Sequence, residues 1–536
     1  MAYRRNFLWR FTLLSISFLV SVIVLSLSIN EKTSNSIAQF DESSYLLDND
    51  EKSLSEEDSV IINVDDTIFT EEIVKNLIVK TNPNVFVAHL NEYGPNINFT
   101  CAKYANALDI KYNNIYWQVE ETRNASYYLY GAYLDDRPLA DGPVIRIIGM
   151  IDKLEAPDAF CQIWFANEPK PIISKVHHAL YMWNKLWSYD EKPLQPYLWS
   201  CKIPEGFQSR VPESVSLVGY PCQNATNNLR VIYNLPESGE KENFAVCVKA
   251  LNFKHKADMA VRLVEWIELL KILGADKITF YELAIHANIS TVLDHYSNVW
   301  NLDVVKTSLP GHSSNIPDFM GTFLKERISF QSFHEVIQYT DCFYMNFLKY
   351  RYIVLLDVDE VIIPLKVETW PELIFDRTVP NARAAKNVTY ASFMAGNIHF
   401  MDDKKEYNDW HPDIPRYMHM LQHVLRNSDY VRAGYGVKAF HDTDLILALH
   451  NHYARACIGN DEFWCESVHF DTIEAHLQHY CSGRNKPECM TMRDGALTLD
   501  TSIWRYKDEL IRTVQQTLKR LGFLKTSKRS SKVFVN

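Results

Sequence analysis

From Val85 to Tyr233 the apolar positions fall into short runs broken by turn residues. Stretches such as "NVFVAHL", "SYYLYGAYLDD" and "VIRIIGMI" read as strands of a mostly β module. At Phe244 the texture changes. "FAVCVKALNF" reads as a buried strand, and in "KADMAVRLVEWIELLKILGADKITFYEL" the residues Val261, Val264, Ile267 and Leu270 recur at helical spacing. Gly274 stands where a helix C-cap belongs, and "KITFYE" resumes as strand. This is a β-α-β unit, which predicts a parallel sheet. A further helical stretch, Phe330 to Lys349, leads into "RYIVLLDVDEVIIP", Arg351 to Pro364. There Tyr352 to Leu356 run into Asp357, Asp359 and Glu360, and the chain turns apolar again at once.

The amino end has a different pattern. Arg4, Arg5 and Arg10 precede nineteen uncharged residues, Phe11 to Ile29, a length that just spans a bilayer core. The flanking charge predicts a type II orientation, with a cytosolic tail over 1–10 and the bulk of the chain across the membrane. Cleavage after Ser26-Leu27-Ser28 is the alternative, against which the length of the apolar run argues. The segment after it is rich in Ser, Asp, Glu and Asn and poor in aromatics, and reads as a stem over 30–84. The expected organisation continues with the β module over 85–240, an α/β catalytic domain over 241–500, and a C-terminal helix and basic tail over 501–536.

Composition narrows the partners. The 536 residues are 47% apolar and carry a formal net charge of -11, with no long Lys/Arg stripe, so a nucleic-acid partner is not expected. The ten cysteines are compatible with five disulfides in an oxidising lumen. Zinc held by Cys457, Cys465, Cys481 and Cys489 with nearby histidines is the less favoured use, because their intervals do not match short metal clips. Sequons at Asn98, Asn124, Asn224, Asn288 and Asn387 permit a secretory location.

The acidic cluster lies at the carboxyl end of a strand, where α/β sheets form crevices. Two aspartates one residue apart can both reach one hard cation, Mn²⁺ or Mg²⁺, which in turn could hold a diphosphate. An acidic surface turn is the bland alternative, and the apolar flanks argue against it, since unpaired carboxylates are costly to bury. "DVDEV" also resembles the phosphatases of the haloacid dehalogenase type, in which Asp357 would be the nucleophile. That domain normally opens on its motif, whereas here a β-α-β unit precedes it by about a hundred residues.

Four blocks in order carry a more specific resemblance: Cys247 to Glu282, Thr340 to Pro364, Val437 to Tyr453 ("VKAFHDTDLILALHNHY") and Leu477 to Cys481 ("LQHYC"). They resemble glycosyltransferase family 92. The resemblance implies a GT-A type fold, a mixed sheet flanked by helices, in a Golgi type II membrane enzyme. It implies inverting transfer of a sugar, galactose in the characterised members, from a UDP-sugar donor to a glycan acceptor with Mn²⁺ (or Mg²⁺). Asp357 and Asp359 match the metal motif, and Glu360 is the acidic residue that follows it, bound to the donor or orienting the metal ligands. His450 is the best match to a downstream histidine that completes the metal site, with His452 next. Lys438 is placed to meet a donor phosphate. Inversion also requires a carboxylate base, for which the loop "FMDDKKEYND" after the expected strand "YASFMAGNIHF" offers Asp402, Asp403, Glu406 and Asp409. Thr340 departs from the family, where an amide-bearing residue is expected. A luminal glycan-binding protein without catalysis remains as a third reading, which the presence of both aspartates disfavours.

Overall fold

The computed structural model describes Asn84 and residues 101–105, 109–183, 194–386, 389–402, 410–459, 465–481 and 497–525. The expected anchor, the cytosolic tail, the stem apart from Asn84, and the basic tail lie outside the described residues. So does "NVFVAHL". Among the described residues no helix is long and apolar enough to cross a membrane.

Ten strands between Tyr112 and Ile232 form one sheet. Its centre is Ser126–Asp135, Val144–Ile151 and Gln195–Lys202, paired antiparallel. All eight residues of Val144–Ile151 are buried, so both faces of the sheet are covered. Alternation along the strands assigns each face its own core. Leu129, Ile147 and Trp199 face one apolar cluster. Tyr130, Ile148 and Leu198 face another, which they share with Phe333, Ile337 and Phe343 of the helix Ile328–Asn346.

That helix leads into the α/β part. A seven-stranded sheet runs in the order Leu302–Lys306, Lys277–Ile285, Glu242–Phe253, Tyr350–Leu355, Lys438–Asp442, Ser392–Ala395 and Ser467–His469. The first four strands are parallel, as the β-α-β pattern implied. Lys438–Asp442 joins antiparallel, which makes the sheet mixed. The crossover helix is Met259–Leu273, and Gly274 ends it at φ 99, where a side chain would be strained and a Cβ would sit 2.9 Å from Pro371. The helix is buried around most of its circumference because the C-terminal helix Lys507–Arg520 covers its outer side, with Leu510, Val514 and Leu518 in the same core as Leu263 and Ile267.

A second sheet of five strands contains Glu360–Pro364, Ala475–Cys481 and Asn397–Met401 side by side. Two largely apolar stretches are each divided between the two sheets. Tyr350–Leu355 lies in the first sheet and Glu360–Pro364 in the second, with the acidic residues at the transfer point. Likewise "YASFMAGNIHF" splits at Gly396 into Ser392–Ala395 and Asn397–Met401. An apolar pattern records burial, and burial does not change when a chain leaves one sheet for another.

Disulfides join Cys101 to Cys222, Cys161 to Cys201, Cys247 to Cys342 and Cys457 to Cys465, and Cys481 is also disulfide-bonded. Cys247–Cys342 ties the strand Glu242–Phe253 to the helix Ile328–Asn346.

Buried charge locks the β sheet to the α/β part. Asp135 is wholly buried between Arg137, at 2.8 Å, and Arg146, at 3.0 Å. Arg137 also donates to the carbonyls of Thr443 and Ile446, at 2.5 and 2.7 Å. Burial alone would raise the Asp135 carboxyl, but the two guanidinium groups outweigh it and hold it down at about 2. Its stabilising contribution is therefore present at neutral pH and is lost as pH falls below the ordinary carboxylate range towards about 2. Replacing Asp135 by Ala leaves two buried guanidinium groups without their counter-ion and is expected to cost about 3–5 kcal/mol. Urea unfolding at pH 7 measures this, and a loss under about 1 kcal/mol would contradict the lock.

Candidate functional site

The acidic turn is closed by its own backbone and side chains. The Glu360 amide donates to the Asp357 carbonyl at 3.0 Å, and the Asp357 amide donates to the Glu360 carboxylate at 3.2 Å. The Tyr480 amide donates to the Asp359 carbonyl at 2.8 Å, which ties the turn to the five-stranded sheet. The three carboxylates then differ in exposure: Glu360 is 3% exposed, Asp357 16% and Asp359 40%.

Two lysines from neighbouring strands meet this turn. Lys249, from Glu242–Phe253, lies 3.3 Å from one Asp357 oxygen and 3.6 Å from Glu335. Lys438, from Lys438–Asp442, lies 3.4 Å from the other Asp357 oxygen and 3.3 Å from Glu360. Burial works against charge on each of these groups, and for the two lysines and Asp357 the pairing overrides it. Both ammonium groups are held above the usual lysine range and the Asp357 carboxyl well below the usual carboxylate range. Burial pushes the Glu360 carboxyl up.

The positions named from the sequence separate at this point. Asp357, Asp359, Glu360 and Lys438 come together. Lys438, expected to meet a donor phosphate, has an ammonium that is wholly buried and donates to the Asn451 side chain at 2.5 Å, so it sits behind the turn. Lys249 is the ammonium that opens onto the cavity described below. His450 packs against Trp183 and stacks on Tyr453, and burial holds its imidazole well below the usual range, in the neutral form. His452 lies against the Val437 carbonyl. His479 lies at the turn, 3.8 Å from Asp359 and 3.6 Å from Glu360, and His452 is near enough to Asp357 and Lys249 to feel their charges. Thr340 is fully buried within its helix. Among the described residues no group of three or more His, Cys, Asp or Glu side chains is gathered closely enough to hold a metal ion.

In front of the turn lies a cavity of about 470 Å³. Asp357, Asp359 and Lys249 form one wall. Arg262, Asp402 and His419 form another, with Glu265 and Met420 behind them. Asp402 follows the strand Asn397–Met401 and is 11% exposed; its carboxylate lies 3.5 Å from Arg262 and 3.9 Å from His419. Asp403, Glu406 and Asp409, the other carboxylates of that loop, lie outside the described residues. The lining carries five acidic side chains against three of Lys and Arg, so an incoming diphosphate meets a wall of its own sign.

Lys249, Glu265, Arg262 and His419 were not singled out from the sequence, and His479 entered only among the histidines enclosed by the last four cysteines. Two of them had a visible signal. Lys249 interrupts the strand "FAVCVKALNF" and Glu265 interrupts the apolar face of a crossover helix, and a charged residue in a buried element calls for a partner. His479 lies inside the block "LQHYC", but its register opposite Glu360 is set by strand pairing. Nothing local marks Arg262 or His419.

The model of the family described as glycosyltransferase family 92 matches residues 242–519. No curated protein matches the chain. Among solved structures, HddC from Yersinia pseudotuberculosis is similar at 12% identity and a TM-score of 0.22, covering 46% of this chain and 96% of that one. TarS 1-349 from S. aureus in complex with UDP-GlcNAc is similar at 11% identity and a TM-score of 0.21, covering 46% and 61%. Scores this low carry no argument about fold or activity.

Glu265 generates a test of the cavity's electrostatics. Burial pushes its carboxyl up to about 7, although the backbone amides of Met420, Leu421 and His419 and the Arg262 guanidinium favour its ionised form; the Tyr417 and Tyr480 phenols also face it. The folded state therefore binds a proton at pH values where the unfolded chain has released it. Stability from this group is full below the ordinary carboxylate range and declines as pH rises to about 7. Wild type is expected to gain stability relative to Glu265→Gln when the pH is lowered from 8 to 5, read from urea midpoints. Parallel curves would show that Glu265 is not the titrating group.

Proposed function

Because the chain belongs to glycosyltransferase family 92, we propose that it transfers a sugar from a nucleotide-sugar donor to a glycan hydroxyl by direct displacement, in a domain of GT-A type. One observation carries this reading: paired aspartates and a lysine at a strand end face Asp402 across a single cavity. The leaving diphosphate and the attacking hydroxyl have their machinery on separate walls.

In this reading Lys249 and the turn bind the donor diphosphate, and Lys438 and Glu360 hold Asp357 in place from behind. Asp402 takes the proton of the acceptor hydroxyl, while Arg262 and His419 fix its orientation. The excess of acidic side chains in the lining favours recruitment of a divalent cation with the donor. Asp357 and Asp359 would supply two of its ligands, and the donor's oxygens and water the rest; His450, the histidine suggested by sequence, packs against Trp183 and Tyr453. Mn²⁺ or Mg²⁺ would supply charge neutralisation at the departing diphosphate. UDP-galactose as the donor rests on the family resemblance. A Golgi location, with the chain anchored through 11–29, rests on the Arg-flanked apolar segment and agrees with the bonded cysteines.

The reading is tested by UDP release from a panel of UDP-sugars with and without Mn²⁺, on protein from Asn30 onward. Metal-dependent release from one donor is expected, with a loss of at least about 100-fold in Asp359→Ala, a size typical of a lost charge-stabilising group. Asp402→Asn is expected to lower transfer by about 10²–10⁴ while UDP binding stays within about twofold of wild type. Absence of UDP binding in the wild type would defeat the proposal.

A further inference from the structure

Glu265 is 1% exposed on a crossover helix whose neighbouring positions are apolar. Burying a carboxylate there is costly unless it is well bonded. Its partners are backbone groups. It accepts from the amides of His419, Met420 and Leu421, the last two at 3.1 and 3.2 Å. These are the leading N–H groups of the one-turn helix His419–Gln422, donors that no residue within so short a helix can satisfy. Met418, the residue before them, has no side-chain cap. Glu265 therefore does from another element what a capping residue would do locally.

The segment gripped in this way carries a side chain into the cavity. The His419 ring lies 3.3 Å from Arg262 Nη1, and a guanidinium nitrogen can only donate, so His419 Nε2 accepts. The same Nη1 is 3.5 Å from the Asp402 carboxylate. Arg262 and Glu265 are three residues apart on one helix, close to a full turn. One helix thus fixes Asp402 through two arms: Arg262 directly, and Glu265 through the backbone that presents His419.

We propose that Glu265 is a positioning residue for Asp402, acting through the His419 segment and Arg262 to hold the carboxylate in the geometry that accepts the hydroxyl proton. This rests on the reading of Asp402 as the base. It goes beyond that reading by assigning a kinetic role to a residue at the back of the cavity whose carboxylate is taken up by backbone amides.

The test uses the full chain and the donor found by the UDP-release panel, with Glu265→Gln, Glu265→Asp, Asp402→Asn and the double variant Glu265→Gln/Asp402→Asn. UDP affinity is measured by calorimetry, and kcat and donor KM by transfer assays. Glu265→Gln is expected to lower kcat at least tenfold with UDP affinity and donor KM within about twofold of wild type, and Glu265→Asp to recover part of the loss. The double variant is expected to be no slower than Asp402→Asn alone, because residues that act as a unit are not additive. Arg262→Gln alters a side chain that is 38% exposed, keeps the test open should Glu265→Gln fail to fold, and is expected to lower kcat with the same masking by Asp402→Asn. Wild-type kcat in a folded Glu265→Gln, or losses that multiply in the double variants, would overturn the proposal alone. A wild-type protein that binds no UDP would instead overturn the donor-site reading, and the proposal with it.

Discussion

Everything around the site depends on how charge is paired at the acidic turn. Asp357 has an ammonium beside each carboxylate oxygen, Lys249 at 3.3 Å and Lys438 at 3.4 Å. A buried carboxylate without partners would be neutralised or would unfold the turn, since the solvation it gives up is not otherwise recovered. The lysines reach it because their strands flank Tyr350–Leu355 on opposite sides in the seven-stranded sheet. Strand order is therefore what permits the charge. Three separate stretches of chain converge on one residue, and moving any of the three strands by one position would turn its side chain to the wrong face.

The turn is also where the chain passes between sheets. Tyr350–Leu355 ends in one sheet and Glu360–Pro364 begins in the other, where Glu360 lies opposite His479. The strand Asn397–Met401 lies on the far side of Ala475–Cys481 and ends at Asp402. The second sheet thus delivers both His479 at the turn and the carboxylate across the cavity. Behind it, the β module is held by burial as well as by Asp135 and its arginines. One face of its sheet packs on the helix Ile328–Asn346, which also carries Asp341, the acceptor for the phenols of Tyr133 and Tyr281. The module supports the catalytic half at its core and does not hang from it by a linker.

Much of the fold was legible in the periodicity. The crossover helix, the strands on either side of it and the helix before the acidic turn occur where the spacing implied, because each buries an apolar face whose period is set by local geometry. A strand end at the acidic residues was legible, but the passage into another sheet there and at Gly396 was not, since both sides of each switch are buried. Asp357, Asp359, Glu360, Lys438 and Asp402 were all marked in the sequence, and the structure brings the first four into one cluster and puts Asp402 across the cavity from it. Lys249 and Glu265 announced themselves only as charges out of place.

By itself the sequence determined the chemistry on offer: carboxylates at a strand end, a β-α-β frame to present them, and family blocks in order. Those features are local, set by residue type and spacing. Only the tertiary structure decided which charges pair, that Lys438 is sealed behind the turn while Lys249 opens onto the cavity, and that His479 rather than His450 stands beside Asp359. Those outcomes depend on strand order and register between segments as far apart in the chain as Asp359 and His479. Such pairings are selected by the packing of the whole core, and no single segment encodes them.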